Sequence, residues 1–442
     1  MGEGSTFTLI NATAYDWHRT AQRSYQMDKW NFPESIPAGT TANVEVEFDE
    51  NVFRKKADDA GEVVYSLSGT SASFQLQARA PKGKFKLQAY LEGLATVSNP
   101  QGSTIDLGWH EDGVTPFILS GTTDKFSSSN PPADWMQKNL ASLGHRQLRE
   151  LCIPGSHDSG MSVITGHTGF ADPGLVLTQS HNVGGQLAFG ARYFDIRPVI
   201  SAGVFSTGHY SKVPVETIGW QGANGQMIQD IIQQINEFTE NNKELVVLNF
   251  GHDLNTDVGR QYRPMNQEEY DRLFELLTGI RDLYVVEGDD PTTIDLSTLP
   301  LNRFISSGRA AVLVIIEPGS IQLGDYSRRG FYKYHQFNVY NSYSDDNDLN
   351  DMVVDQLDKM RKQRSSPDSQ LFLLSWTLTQ QVDNIVAGQT ILKLARKARP
   401  ALFTKLLQAC SPQTYPNILY LDNWLSSDYT ALAMAINDMS GL

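Results

Sequence analysis

Tyr193-Phe194-Asp195-Ile196-Arg197 is a short β-forming run that closes on charge, and its pattern decides how the chain around it is read. Side chains alternate across a strand, so Asp195 and Arg197 point to one face. Comparable apolar runs occur at Glu150–Ile153, Val204–Thr207, Leu245–Phe250, Ala310–Ile316, Gln336–Val339, Leu371–Leu374 and Ile418–Leu421. Between them lie segments of helical periodicity: Met227–Asn241, Glu268–Leu277, Asp348–Arg364, Ile391–Ala398 and Ser427–Ile436. In the second of these, Tyr270, Phe274 and Leu277 recur at helical spacing. Eight β-like runs alternating with helices over about 300 residues predict a (β/α)8 barrel of parallel strands. A doubly wound sheet is the alternative from pattern alone.

The preceding residues follow a different rhythm. Residues 1–122 carry short runs of β-formers, among them Phe7–Ile10, Ala42–Phe48, Val63–Leu67, Ala72–Leu76 and Lys84–Leu91. Turn signals such as Pro37-Ala38-Gly39 and Pro81-Lys82-Gly83 separate them, and this spacing predicts a β-sandwich. Residues 123–133, within the Ser-rich stretch TTDKFSSSNPPA, read as a linker. Residues 134–442 then form the barrel domain. Tyr15, Trp17, Trp30 and Phe32 are candidates for an aromatic interfacial patch on the N-terminal module, weighed against an ordinary core.

Bulk properties bound the partners. Of 442 residues, 36 are basic and 50 acidic, a formal net charge of −14. Nucleic acid needs a basic footprint and is not an expected partner. No apolar run reaches the length of a membrane span. The start MGEGSTFTLINATAYDW has no basic stretch followed by an apolar one, so no signal peptide is predicted. Two cysteines, Cys152 and Cys410, tilt the reading towards a reducing compartment. A cytoplasmic or peripheral-membrane location is favoured, with secretion compatible. Asn11-Ala12-Thr13 is a glycosylation sequon of the kind that also arises by chance.

Ionisable residues gather at the ends of the barrel runs. His157 and Asp158 follow the first, Asp195 and Arg197 lie in the second, and His209 follows the third. Asn249 is at the end of the fourth with His252 just beyond it, Glu317 comes after the fifth, and Asp422 ends the last. Parallel strands bring all these ends to one face, where barrel active sites form. Imidazole titrates near neutral pH, so two histidines on one face can remove a proton from a nucleophile and return one to a leaving oxygen. Each needs a carboxylate to set its tautomer, and Asp158 and Asp422 are candidates. The Arg197 guanidinium can stabilise charge on phosphate oxygens. Metal ligation by the His and Asp residues is the competing chemistry. The chain lacks HExxH, EF-hand and paired-Cys motifs, and an arginine within the cluster disfavours a cation. No metal or cofactor is expected. The remaining histidines read as structural, with His252 the open case.

These residues resemble the X domain of phosphatidylinositol-specific phospholipases C. The likeness rests on Asp134-Trp135-Met136, Ile153-Pro154-Gly155-Ser156-His157-Asp158-Ser159, Thr178-Gln179-Ser180 and Gln186–Arg197, with Gly208-His209, Glu244–Asn249 and Ile418–Asp422 in order. The resemblance implies a distorted TIM barrel. It implies His157 as general base on the inositol 2-hydroxyl, oriented by Asp422, and His209 as general acid on the glycerol oxygen, supported by Asp158. Arg197 contacts the phosphate, and the products are diacylglycerol and a cyclic inositol phosphate. Asp158, and Asp195 with Arg197, match the bacterial-type, metal-independent pattern, in which arginine takes the role of calcium. Phospholipid is the implied substrate, with transient membrane contact. The head-group positions depart from that pattern. Glu317 falls where the bacterial enzymes carry Arg, and Asn341-Ser342-Tyr343 where they carry Asp-x-Tyr. Asn249, Glu317, Asn341 and Tyr343 are the candidate substrate-binding residues. Another head group, a soluble phosphodiester, or a non-catalytic lipid- or glycan-binding role are the alternatives.

Overall fold

Leu245–Phe250, Ala311–Ile316 and Leu371–Trp376 are buried along their whole length. Strands covered on both faces read as continuous apolar runs, the mark of a parallel sheet. In the computed structural model, which describes residues 4–49, 51, 53–169, 171–212, 219–259, 261–380 and 388–441, they belong to one eight-stranded sheet. Its strands in chain order are Ile153–Ser156, Tyr193–Ile196, Leu245–Phe250, Ala311–Ile316, Phe331–Lys333, Val339–Asn341, Leu371–Trp376 and Ile418–Leu421. They pair in the order five, four, three, two, one, eight, seven, six, every pair parallel. This is barrel order with a seam between strands five and six. Only Tyr334–Asn338 connects those two. A parallel crossover needs a dozen or more residues, so the connection is too short to pair them.

Helix Ile228–Asn241 shows why the helical segments pack as they do. Ile228, Ile231, Ile232, Ile235 and Phe238 form one buried stripe. Helix Gln267–Leu277 begins at a capping box, with the Asn266 side chain accepting from Glu269 N and the Glu269 side chain from Asn266 N.

Three expected barrel strands differ. Glu150–Ile153 gives way to a 3-10 turn at Leu148–Glu150 and a strand at Ile153–Ser156, which takes in the Pro154-Gly155 pair that the sequence marks as a turn. Val204–Thr207 is the start of Val204–Lys212, which lies in a separate five-stranded sheet with Gly166–His167, Trp220–Met227, Pro198–Ser201 and Leu254–Asn255. Val204–Lys212 pairs antiparallel on both sides, a hairpin arrangement that short apolar runs do not distinguish from a barrel strand. Gln336–Val339 gives way to a 3-10 turn at Tyr334–Gln336 and a strand at Val339–Asn341. Phe331–Lys333, too short to stand out, is the missed strand.

The chain divides into two compact units. One is Ala133–Ala398 with Pro416–Ser426; the other is Met1–Pro132 with Arg399–Tyr415 and Ser427–Leu442. The second unit has two sheets. One runs Lys125–Ser128, Val114–Thr122, Gly4–Thr13, Thr40–Phe48, Met27–Trp30. The other runs Ser35–Ile36, Trp17–Tyr25, Ala60–Leu67, Ser73–Arg79, Lys86–Tyr90, Thr104–Gly108. Their apolar faces share one core, including Phe7, Leu9, Trp17, Val46, Phe74 and Phe117. Trp17, Trp30 and Phe32 are buried in that core and Tyr15 packs against it, so they form no interfacial patch. Asn11 is fully buried, with its amide donating to Tyr15 O and Ile36 O. The sequon is therefore out of reach of modification.

The stretch 123–133 is not a free linker. Lys125–Ser128 pairs antiparallel with Val114–Thr122 and buries Phe126; its serines are strand residues whose short side chains fit a covered face. Helix Asp428–Ser440, read from the sequence as part of the barrel, packs on strands Val114–Thr122 and Gly4–Thr13. Asp438 accepts from Ser120 Oγ at 2.7 Å and pairs with Lys125 Nζ at 3.3 Å. Among the described residues no helix is long and apolar enough to cross a membrane.

Candidate active site

Register sets the site. Ser156 pairs with Phe194 on one side and Leu421 on the other. The residues that follow, His157, Asp195 and Asp422, therefore stand at one level of the sheet, Asp195 still within its strand and the other two just past theirs. His157 Nδ1 lies 2.7 Å from Asp422 Oδ1. Arg197 sits where the barrel strand Tyr193–Ile196 passes into the rim strand Pro198–Ser201, and its Nη2 is 2.8 Å from His157 Nε2. Guanidinium has only donors. That contact therefore requires a neutral His157 with its proton on Nδ1, donating to Asp422.

His209 reaches the same place from the hairpin rather than from a barrel strand end. Gly208 N donates to Arg197 O at 3.0 Å. The pairing of Val204–Lys212 with Trp220–Met227 shifts register between Ser206 and Gly208, and such bulges re-aim the side chains beside them. His209 Nδ1 is 2.7 Å from Asp158 Oδ2. Asp158 is fully buried and holds φ +40°, a left-handed conformation uncommon outside glycine. Its Oδ2 is also 3.6 Å from Arg197 Nη1.

Asp195 organises the cluster from below. Its Oδ2 accepts from Arg197 Nε at 3.1 Å, from Asp158 N at 3.0 Å and from the Tyr420 hydroxyl. Burial favours the protonated acid, but Arg197, His157 and these donors hold its carboxyl well below the usual range. Arg197 is raised further above its ordinary value, with Asp195 and Asp158 outweighing burial. For His157, burial disfavours the cation, yet Asp422 and its hydrogen bond raise the pKa above that of an ordinary histidine, against the opposing charge of Arg197.

The Thr178-Gln179-Ser180 segment braces both ends. Thr178 Oγ1 donates to Asp158 O at 2.9 Å, Gln179 Nε2 to His157 O at 2.8 Å, and Asn423 N to Thr178 O at 2.9 Å. Gly160 and Gly225 allow the His157 loop to meet the hairpin. A Cβ on Gly160 would lie 2.2 Å from Thr207 Oγ1, and one on Gly225 2.4 Å from Gly160 O.

His157, Arg197, His209, Tyr420 and Asp422 line one cleft of about 520 Å³. Its lining also includes the uncharged polar residues Asn341, Tyr343, Ser375, Thr377 and Gln380 and the apolar residues Leu175, Val176, Leu378 and Ile391. Asn341 and Tyr343 are thus brought to the site. Asn249 and Glu317 are not. Asn249 is buried, its Nδ2 donates to Glu317 Oε2 at 3.0 Å, and neither lines the cleft. A neutral amide and a carboxylate on paired neighbouring strands satisfy each other first. Tyr420, Ser375 and Thr377 carried no role in the sequence reading, and Gln179 entered it only as part of the Thr178-Gln179-Ser180 segment. Tyr420 was the traceable one, because Leu421 and Tyr420 alternate and the tyrosine precedes Asp422 by two positions. Among the described residues, no group of three or more His, Cys, Asp or Glu is placed to hold a metal ion.

No family model matches the chain. Over 130 residues, 27% of this chain, it is 29% identical to a PI-PLC X-box domain-containing protein of Dictyostelium discoideum, and the match spans 16% of that protein's length. A mutant phosphatidylinositol-specific phospholipase C from Staphylococcus aureus superposes with TM-score 0.48 at 15% identity, covering 70% of this chain and 98% of that one. The enzyme of the same name from Listeria monocytogenes superposes with TM-score 0.42 at 15% identity, covering 68% and 95%. The chain resembles the phosphatidylinositol-specific phospholipase C family.

Proposed function

We propose that this phospholipase C-like chain cleaves the glycerol–phosphate bond of phosphatidylinositol or a closely related lipid by acid–base catalysis between two histidines. The observation that carries the reading is the pair of imidazole–carboxylate couples, His157–Asp422 and His209–Asp158, lining one cleft with Arg197.

In this mechanism His157 Nε2 takes the proton of the inositol 2-hydroxyl. That oxygen attacks phosphorus, and the bond to the glycerol oxygen breaks. Protonated His209 gives its Nε2 proton to the departing oxygen, so diacylglycerol leaves and a five-membered cyclic phosphate remains. The nucleophile belongs to the substrate, and the step has the advantage of an intramolecular reaction. Asp422 stabilises the imidazolium that forms. Arg197 faces the phosphate and supplies fixed positive charge where negative charge builds. Its present hydrogen bond to His157 Nε2 occupies the lone pair that the base must use. An incoming phosphate competes for the same guanidinium fork, and its binding frees the base.

His157→Ala or His209→Ala each lowers turnover by about 10²- to 10⁴-fold. The check is mass spectrometry of products from a mixed phospholipid extract with excess chelator. Cyclic inositol phosphate and diacylglycerol from the wild type, lost in both variants, is the expected result. A product carrying another head group moves the reading to that lipid, which Asn341 and Tyr343 lining the cleft in place of the bacterial-type Asp-x-Tyr pattern, and Glu317 turned to Asn249, make the second reading. Full loss of activity on chelation refutes the metal-independent chemistry.

A further inference from the structure

A third imidazole faces the cleft and has no part in the proton transfers above. His252 is exposed and lines the same cleft as His157, Arg197 and His209. Its backbone is left-handed, at φ +52°. A non-glycine residue in that region is uncommon, and it persists only where the surroundings hold it. Here they do so on both sides. Gly251 N donates to Ile196 O at 3.2 Å, and Leu254 pairs with Val199. A side chain on Gly251 would be excluded, since its Cβ would lie 2.2 Å from Glu317 Oε2. Two anchored neighbours thus force the intervening turn and present the His252 ring to the cleft. Burial of apolar surface does not account for this, because the ring is left open.

The carboxylates near His252 are committed elsewhere. Asp195 binds Arg197, Tyr420 and Asp158 N. Asp253 accepts from Met265 N. Glu317 Oε2, beside Gly251, accepts from Asn249 Nδ2. Among the described residues His252 therefore lacks the close carboxylate couple that marks His157 and His209, an arrangement that suits contact rather than proton shuttling. The cleft wall at Asn341, Ser375 and Thr377 is uncharged, which suits a hydroxyl-rich ligand over a second anion.

We propose that His252 is a substrate-binding residue that hydrogen-bonds a hydroxyl of an uncharged polyol head group. This rests on the phosphodiesterase reading of the cleft, and the experiment has two arms so that the two can fail separately. In the first arm, histidine ring signals of the full chain are followed by NMR while myo-inositol or inorganic phosphate is added. His252 signals are assigned by their loss in His252→Gly, which removes the ring and tolerates the left-handed backbone. Myo-inositol is expected to shift the His252 signals and phosphate those of His157 and His209. In the second arm, His252→Gly raises KM for phosphatidylinositol in mixed micelles about tenfold, the scale of one lost hydrogen bond, with kcat within about threefold. His252→Asn, which accepts the same backbone and keeps a donor, recovers part of the loss. A shift of His252 with phosphate but not inositol, no shift with either, or a fall in kcat at unchanged KM overturns the proposal. Absence of turnover in the wild type defeats the phosphodiesterase reading alone, and the NMR arm then decides the role of His252.

Discussion

At the scale of single residues, the Asp422–His157 couple makes a definite demand on pH. His157 acts as a base only when neutral, and Asp422 raises its pKa despite burial. The acidic limb of kcat/KM therefore lies above the ordinary histidine value of about 6.5. In Asp422→Asn the limb moves to lower pH as kcat falls, because the main charge favouring the cation is gone. A pH–rate profile of the two proteins checks this, and an unmoved limb counts against His157 as the base. The same shift has a sign in folding. A raised pKa contributes stability that is fully present below the unfolded value and fades as pH rises through the folded one. The sequence named both histidines and both acids because ionisable groups gather at the ends of several apolar runs; the structure brings them to one cleft, but His209 reaches it from inside the hairpin strand Val204–Lys212. Asn249 and Glu317 satisfied the same criterion and turned to each other instead. A strand end says that a polar side chain is available, not which neighbour takes it.

Among elements, the site depends on a close approach and on a buried charge pair. Gly160, Thr207 and Gly225 meet where the His157 loop crosses the hairpin that carries His209. Gly160→Ala is expected to cost about 1–3 kcal/mol through overpacking and to lower kcat as the imidazoles separate; thermal unfolding and steady-state kinetics report the two effects. Arg192 and Glu244 are fully buried, 2.8 Å apart. Glu244 also accepts from Met136 N and Gln137 N, and so ties the segment that leads into the barrel to its second and third strands. Glu244→Gln leaves the arginine charge unpaired and is expected to cost about 3–5 kcal/mol in urea unfolding. Helices with a repeating buried stripe were readable to within a few residues, as Ile228, Ile231, Ile232 and Ile235 show, but the helix read as Ile391–Ala398 runs on through Pro400 to Ala409. Val204–Lys212 was misplaced because a short β-forming run carries no record of whether its partner is parallel or antiparallel. Phe331–Lys333 escaped notice because three residues set no period.

For the molecule as a whole, the division of the chain was the least legible feature. The end of the sequence looks like one more barrel helix, since Tyr429–Asn437 is buried throughout and periodicity cannot name the surface that buries it. In the structure that surface is the Val114–Thr122 and Gly4–Thr13 strands. A chain ending at Ser426 would expose those strands and leave Ser120 and Lys125 without Asp438. It is expected to unfold at lower temperature and to bind more ANS than the full chain, and equal melting curves would contradict the assignment. The arrangement also bears on how the protein is made. Domains usually fold in order of synthesis, as each emerges. Here strands Gly4–Thr13 and Val114–Thr122 must wait for the helix Asp428–Ser440 that packs on them, with the barrel-forming stretch produced in between. Through that interval those strands present an apolar face not yet covered by their helix, the kind of transient surface that makes a nascent chain prone to aggregate.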